Sequence, residues 1–503
     1  MRALDRIARW QPALLVALPA VWAVIVCAPG YFTDADSYYH LGVARRLLEH
    51  GWLRQFPWLP YTTLADPFPD PHLAQHVVLA PLVAVFGPAA ALRIAPVMLS
   101  SAFAASVYAV LRRHGVRWPA PWIVLGLLAC PLAVSYATFV KGASSFLIIV
   151  PWFVDAVWRG ARRRAFVLAW LSVYAYVGAT VLVPFAIAHL LAVRWRDGRW
   201  DAGCLVATLA GLAAGMIVNP FWPAQWSHAA AELRSVFERD PTLLPGEYRG
   251  AEWAILGTDV LVQVAGAALI AWAAVLIRQL GRAATVSTPA VSGALAALGL
   301  LAGGLMSGSK LIELFVVFSL LAVPLIAEQM RPWGRAVVAA AVAIALVMVV
   351  RSLALRREML AAPQPTRPAE LAAMAHWLDE RTAPGEVVVA PWDDMPGLFL
   401  FGRDERYVAG VNVQFLHDAD PTRFSAYALL YRGQIADPQN TLTMLFDGAR
   451  FLLVHREPHL PGEPALTAGL AANPAFEEIA SPASMWRVFR RRPAQAPTGG
   501  RGQ

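Results

Sequence analysis

Two aspartates one residue apart, Asp34 and Asp36, stand just beyond the first long apolar run, in Tyr31-Phe32-Thr33-Asp34-Ala35-Asp36-Ser37-Tyr38-Tyr39-His40. Carboxylates this close to hydrocarbon are costly unless something binds them. A divalent cation with a phosphorylated ligand is one such partner, because hard cations take carboxylate oxygens and share substrate phosphates. The alternative is that Asp34 or Asp36 caps the helix that follows through Leu41, Ala44, Leu47 and Leu48. Asp70, His72 and His76 come later in the same loop, and the two histidines share a helix face if the helix has begun. That group either ligates a metal or has its histidines hydrogen-bonded to neighbouring carboxylates. Glu238 and Arg239 lie in Ser235-Val236-Phe237-Glu238-Arg239-Asp240-Pro241, where Glu238 is either a site acid or a surface acid paired with Arg234 or Arg239. Of the 42 basic residues only Lys141 and Lys310 are lysines. A lysine ammonium meets phosphate as a point charge, and a cation snorkelling to a membrane interface occupies the same kind of position.

What must hold these residues is a set of membrane spans. Hydrophobic residues make up 58% of the 503 and charged residues 15%, against roughly 25% charged in soluble domains. The apolar stretches 12–30, 89–111, 119–137, 143–158, 165–177, 179–193, 201–219, 260–277, 290–306, 311–329 and 335–352 read as about eleven transmembrane helices in a mainly α bundle. Segment 165–193 is too long for one untilted helix and short for two, and is expected to turn near Gly178. Segment His76–Phe86 is too short to span and reads as an interfacial or re-entrant helix. Arginine clusters at Arg2/Arg6/Arg9, Arg112/Arg113/Arg117, Arg159/Arg162/Arg163/Arg164, Arg194/Arg196/Arg199, Arg278/Arg282 and Arg331/Arg335 alternate with these spans. Positive charge at span ends marks the cytoplasmic side. With all six clusters inside, stretches 31–86, 138–142, 176–179, 220–255 and 307–310, and everything after about 353, face outward. The two aspartates, Asp70, His72, Lys141, Glu238 and Lys310 then share one side of the membrane.

The net charge of +8 sits mostly in these clusters, so it reads as topology and lipid contact, and a nucleic-acid footprint is excluded. Cys27, Cys130 and Cys204 show no metal spacing and read as buried thiols. The arginine- and alanine-rich usage points to a bacterial source, which makes the membrane an inner membrane and the outer side periplasmic. The N-terminus lacks a convincing cleavage site and reads as an uncleaved first span. The transmembrane domain therefore covers residues 1–360, with large outer loops 31–86 and 220–255. After a Pro-rich linker, residues 365–490 have soluble composition. Glu370–Arg381 and Leu466–Ala472 read as helices and Val387–Ala390, Phe451–His455 and Met485–Phe489 as strands, which makes a periplasmic mixed α/β domain. Residues 491–503, rich in Pro, Gly and Arg, read as a disordered tail.

Taken together, four motifs resemble the oligosaccharyltransferase catalytic-subunit family of C-type (GT-C) membrane glycosyltransferases, in a less characterised bacterial branch. Asp34-Ala35-Asp36-Ser37-Tyr38-Tyr39-His40-Leu41, with Arg45-Arg46 after it, is similar to the family's first outer loop. Ser235-Val236-Phe237-Glu238-Arg239-Asp240-Pro241 is similar to its S-V-S-E-H-Q-P motif, and Ser309-Lys310-Leu311-Ile312-Glu313 to its S-R-R-F-x-E region. Ala390-Pro391-Trp392-Asp393-Asp394 resembles W-W-D-Y-G, of which only the Trp-Asp pair is kept. The resemblance implies that Asp36 is the catalytic and metal-binding carboxylate, that Glu238 completes the site, and that Lys310 and Arg239 hold a donor phosphate. It implies that Trp392 and Asp393 lie near the acceptor. The family's second acidic motif, outside the third span, is replaced by Phe139-Val140-Lys141-Gly142-Ala143-Ser144-Ser145. Either Asp70 and His72 compensate, joining Asp34, Asp36 and Glu238 as metal ligands, or metal use differs, since Lys141 can itself neutralise phosphate.

The expected activity is transfer of a sugar or glycan from a polyprenyl-(di)phosphate carrier to a glycan or protein acceptor on the periplasmic side, with Mg or Mn as cofactor. Two other classes stay open. A transporter or flippase of a lipid-linked intermediate would favour polar residues at the bilayer midplane and internal repeats; Asp155 and Asp259 lie towards span ends, and no repeat is found. A non-catalytic glycan-binding relative would tolerate the missing acidic motif.

Overall fold

The computed structural model describes residues 2–27, 33–129, 139–237, 287–307, 309–329, 368–458 and 462–492. The expected spans 260–277 and 335–352, the far end of 119–137 and the tail from 493 lie outside the described residues. Helices in the first two-thirds are α1 (Arg2–Cys27), α2 (Ala35–His50), α3 (Leu73–Arg113), α4 (Pro119–Ala129), α5 (Ser144–Trp158), α6 (Arg162–Ala175), α7 (Leu182–Asp197), α8 (Gly203–Val218), α9 (Ala224–Phe237), α10 (Thr288–Ser307) and α11 (Ser309–Gln329). Stretch 165–193 breaks as its length requires: α6 ends at Ala175, a 3-10 turn covers Val177–Val181, and α7 follows. His76–Phe86 is helical, but as the opening of α3, which bends at Gly87 with φ of 74° and ψ of 165°. That left-handed backbone suits a glycine, and Pro88 follows it.

The described residues fall into two compact units. One contains residues 2–27, 70–82 and 92–329; the other contains 33–69, 83–91 and 368–492. The first outer loop therefore folds with the C-terminal residues, although they are more than 300 residues apart in sequence. Position along the chain gave no hint of that pairing.

In the first unit, aromatic and aliphatic side chains including Phe146, Phe153, Phe185, Phe315 and Phe318 make a continuous core. Helix α8 buries a stripe of Cys204, Thr208, Gly211, Leu212 and Gly215. A Cβ on Gly211 would come 2.3 Å from the Phe166 carbonyl, and one on Gly215 would come 2.9 Å from that of Trp170. The two glycines, four apart, thus let α8 and α6 approach backbone to backbone, as small residues do in membrane bundles. The opposite face of α8 exposes Val206, Leu209 and Ile217, an apolar surface of the kind that lipid covers. Among the described residues, Leu73–Arg113 and Val177–Asp197 are long and apolar enough to cross a membrane.

Among the described residues, the clusters Arg112/Arg113/Arg117, Arg159/Arg162/Arg163/Arg164 and Arg194/Arg196/Arg199 meet at one end of this bundle. Gln11 Nε2 donates to the Arg117 carbonyl, and Arg117 N to Glu328, each at 2.9 Å. Asp155 takes Arg113 at 3.2 Å and His114 at 3.1 Å. Arg162 pairs with Asp201 at 3.0 Å, and Arg196 donates to Thr288 at 3.1 Å. Asp155 thus serves as an ionic tie at a helix end. The starts of α3 and α5 lie together at the other end of those helices, as described below.

The second unit carries α12 (Pro368–Asp379), β1 (Val387–Val389), α13 (Met395–Phe401), β2 (Arg406–Tyr407), α14 (Gln414–Ala419), α15 (Pro421–Tyr431), α16 (Pro438–Leu445), β3 (Ala449–His455), α17 (Glu463–Ala472), β4 (Phe476–Ile479) and β5 (Trp486–Arg491). The sheet order is β2-β1-β3-β5-β4. β1 lies parallel to β2 and β3, whereas β5 pairs antiparallel with β3 and β4. On α12 the periodic Leu371, Met374 and Leu378 are all fully buried.

Between α12 and β2, Asp379 and Glu405 both accept from the Arg403 backbone N–H, at 2.8 and 3.1 Å. Burial, then the hydrogen bond and charge of Asp379, raise the Glu405 pKa to about 8. The native state therefore holds a proton that the unfolded chain, with its ordinary value near 4.5, releases. The associated stability is complete below pH 4.5 and is lost as pH rises through about 8. Thermal unfolding of the second unit should weaken by on the order of a few kcal/mol across that window. The Glu405→Gln variant should lose this slope between about pH 4.5 and 6.5, whereas above 6.5 the raised pKa of His455 gives both forms a slope of its own; a slope below 6.5 equal to the wild type's would place the titration elsewhere.

Candidate active site

Asp34 is the N-cap of α2. Its Oδ1 accepts from the Ser37 backbone N–H at 3.2 Å and from the Ser37 hydroxyl at 2.6 Å. The capping alternative thus applies to Asp34. Asp36, in the first turn, is half-exposed, so the two carboxylates, though adjacent in the motif, have different surroundings. A negative side chain there also suits the partial positive charge of a helix N-terminus.

The first unit draws several of the stretches expected to face outward into one cluster. Asp70 accepts from the His72 backbone N–H at 3.1 Å, and its carboxylate meets His76 Nδ1 at 2.9 Å. Gln75, fully buried, donates to the Lys141 carbonyl at 2.9 Å and accepts from the Ser145 N–H at 3.1 Å. The His72 ring stacks on Tyr176 with centroids 5.8 Å apart. It also lies over Gly142, where a Cβ would come 2.8 Å from the ring. Burial, followed by the neighbouring His76, pushes the His72 pKa down to about 4. His228 of α9 adds to that repulsion, so part of stretch 220–255 also borders the cluster. Lys141 is half-exposed, its ammonium 5.7 Å from the Phe139 ring centroid. Asp70, His72 and Lys141, which sequence reasoning placed on one side of the membrane, are therefore neighbours.

In the second unit, Trp392 and Asp393 are half-exposed, whereas Asp394 beside them is fully buried. Asp394 Oδ2 accepts from Trp486 Nε1 at 2.7 Å and pairs with His455 Nε2 at 2.9 Å; His455 Nδ1 meets Glu463 at 2.8 Å. Burial alone would lower the His455 pKa, but the Asp394 and Glu463 carboxylates more than offset it and lift it to about 10. Sequence reasoning missed this network and missed Gln75. A histidine closing an apolar strand and a second Asp after Trp-Asp were the available signals for the network; Gln75 had none. Arg45 and Arg46 of the first motif donate to the carbonyls of Leu400 and Gly402, so they join α2 to α13.

Glu238 and Arg239 lie outside the described residues. Lys310 stands in the first turn of α11. Among the described residues no group of three His, Cys, Asp or Glu side chains could hold a metal ion.

No protein-family model and no curated protein matches the sequence. Solved structures do match. ArnT from Cupriavidus metallidurans bound to undecaprenyl phosphate is 14% identical, with a TM-score of 0.55 over 95% of this chain and 97% of its own. The Archaeoglobus fulgidus oligosaccharyltransferase is 11% identical, with a TM-score of 0.58 over 89% of this chain and 69% of its own. The arabinofuranosyltransferase AftD from Mycobacteria is 15% identical, with a TM-score of 0.55 over 96% of this chain and 40% of its own. All are GT-C glycosyltransferases, and the fold of this chain is GT-C-like.

Proposed function

We propose that the protein is a membrane glycosyltransferase that takes a sugar or glycan from a polyprenyl-phosphate or -diphosphate carrier and passes it to a glycan or protein acceptor. The observation that carries this reading is the similarity of fold to glycosyltransferases along nearly the whole chain, one of them with undecaprenyl phosphate bound. The reaction is placed at the periplasmic face of a bacterial inner membrane, in a bundle of about eleven spans. Its test is transfer of label from a polyprenyl-linked sugar by the purified chain; absence of transfer by the wild type ends the reading.

The chain's own groups divide the work. Asp36 is the carboxylate at the reacting centre, where it assists the acceptor nucleophile as a general base. Lys141, Lys310 and Arg239 face the carrier phosphate and stabilise its departing charge. Trp392 and Asp393 meet the acceptor. Divalent Mg or Mn suits hard carboxylate donors. By the motif resemblance, Asp36 and Glu238 are the carboxylates that would hold such an ion. When bound it would supply Lewis-acid stabilisation of phosphate charge. Asp70 and His72 then shape the loop that carries Lys141.

Charge-assisted contacts to phosphate are worth roughly 1.5–3 kcal/mol each. Lys141→Ala and Lys310→Ala should each weaken affinity for the carrier by about tenfold or more, read as a rise in donor KM. Unchanged donor KM in both variants would leave the lysines as interfacial cations only.

For topology, reporter fusions at Gly198 and Gly462 should report opposite compartments, cytoplasm and periplasm. The convergence of three of the arginine clusters, those at 112–117, 159–164 and 194–199, at one end of the bundle supports this assignment. The same compartment for both fusions would rule it out.

A further inference from the structure

Every residue from 387 to 402 is buried except Trp392 and Asp393. The turn that carries this pair is fastened on both sides by buried polar groups. On one side the Tyr427 hydroxyl donates to the Ala390 carbonyl at 2.8 Å. On the other, Asp394 occupies the N-cap position of α13 yet makes no side-chain cap bond. An aspartate at that position ordinarily accepts from the helix's own first-turn amides. Here its carboxylate reaches instead to Trp486 and His455, and Glu463 fixes the far side of the imidazole. β3 presents His455 and β5 presents Trp486, neighbours across the antiparallel register. The turn is thus tied to the middle of the sheet.

We infer that Asp394, His455 and Glu463, together with Tyr427, are positioning residues that hold the 390–394 turn so that Trp392 and Asp393 are presented to a ligand. Preorganised contacts lower the ordering cost of binding, and a contact held by a locked supporting shell keeps its geometry. The half-exposed indole of Trp392, part of which packs on the core of the unit, and the half-exposed Asp393 beside it fit an acceptor that offers a hydrogen-bond donor. That the ligand is the glycosyl acceptor rests on the transferase reading; the mount itself does not.

The test compares amide hydrogen exchange of the full-length protein in detergent micelles with its transfer kinetics. Asp394→Asn is the main variant, because it removes the charge that pairs with His455 and leaves only a neutral amide at the tie, with Glu463 still balancing the imidazole. Exchange at 390–394 should rise at least tenfold while β3 and β5 stay within twofold of the wild type. Tyr427→Phe, which removes only the hydroxyl, should give a smaller rise confined to the same turn, and this variant decides the matter if Asp394→Asn does not fold. Glu463→Gln keeps the Asp394–His455 tie and should leave the turn's exchange near that of the wild type. In transfer assays with a labelled polyprenyl-linked sugar and an acceptor fraction from membranes, Asp394→Asn should raise the apparent acceptor KM several-fold at unchanged donor KM. Wild-type exchange at the turn in both Asp394→Asn and Tyr427→Phe, or a uniform rise over the whole unit, would overturn the inference. Local exchange gains without transfer by any form would support the mount and remove the transferase reading.

Discussion

Asp36→Asn lowers glycosyl transfer by about 10²–10⁴-fold, the range that a positioned acid or base contributes, while the protein stays folded. The motif resemblance gives the reason to expect the loss of transfer, and the cap of α2 gives the reason to expect a folded protein. Asp34 already caps α2 through Ser37, so the helix keeps its cap when Asp36 is replaced. The partner substitution gives the opposite signature. Asp34→Ala removes the cap and should cost about 1 kcal/mol of stability, whereas Asp34→Asn retains a capping oxygen and should stay close to wild type in stability. Rates of transfer from a labelled polyprenyl-linked sugar, set beside thermal midpoints, separate the two aspartates. If Asp36→Asn transfers within about threefold of the wild type, a general-base role of this size is excluded. If Asp34→Asn is as inactive as Asp36→Asn, both carboxylates belong to the chemistry and capping is secondary.

How much of this was legible in the sequence depended on the range of the interaction. Periodicity and length located α5, α7, α8 and α10 and the break near Gly178, because each is set by a local apolar pattern. The strands around Val388, Leu452 and Val488 were legible as short apolar runs, but β2 and β4 were not: two and four residues long, they take their conformation from the strands beside them. The arginine alternation groups Asp34, Asp36, Asp70, His72, Lys141, Glu238 and Lys310; of these, Asp70, His72 and the backbone of Lys141 are neighbours, while Asp34 and Asp36 fold with the second unit and Glu238 lies outside the described residues. It could not say what Gln75 does, because one amide joining two loops 66 residues apart leaves no local pattern. The Trp-Asp-Asp segment was read for its exposed pair, and both residues are half-exposed. That Asp394 turns inward depends on His455, Glu463 and Trp486, which only the fold brings together.

Arg46 illustrates the same limit, and replacing it should produce the largest loss of stability in the second unit. Its motif neighbours point to chemistry, yet the side chain is 2% exposed and its fork is used structurally. Nη2 donates to the Gly402 carbonyl at 2.8 Å and also to that of Arg403, while Nη1 meets Glu49 at 2.6 Å. The guanidinium lies 5.0 Å from the Trp58 ring centroid and 5.3 Å from that of Phe399. Trp58 Nε1 donates to the same Arg403 carbonyl at 3.1 Å. A single planar cation therefore joins α2, the 56–68 loop and the end of α13. Arg46→Met keeps much of the volume but leaves the Gly402 carbonyl without this donor, and should cost about 3 kcal/mol. That corresponds to a fall of roughly 6–12 °C in the unfolding midpoint of a unit of this size. Arg46→Lys restores the charge without the planar fork, so it should recover only part of the loss. Calorimetry or limited proteolysis of the full chain distinguishes the cases: a midpoint unchanged in Arg46→Met would mean that apolar packing of α2 on α13 suffices, and full recovery in Arg46→Lys would mean that charge alone holds the joint.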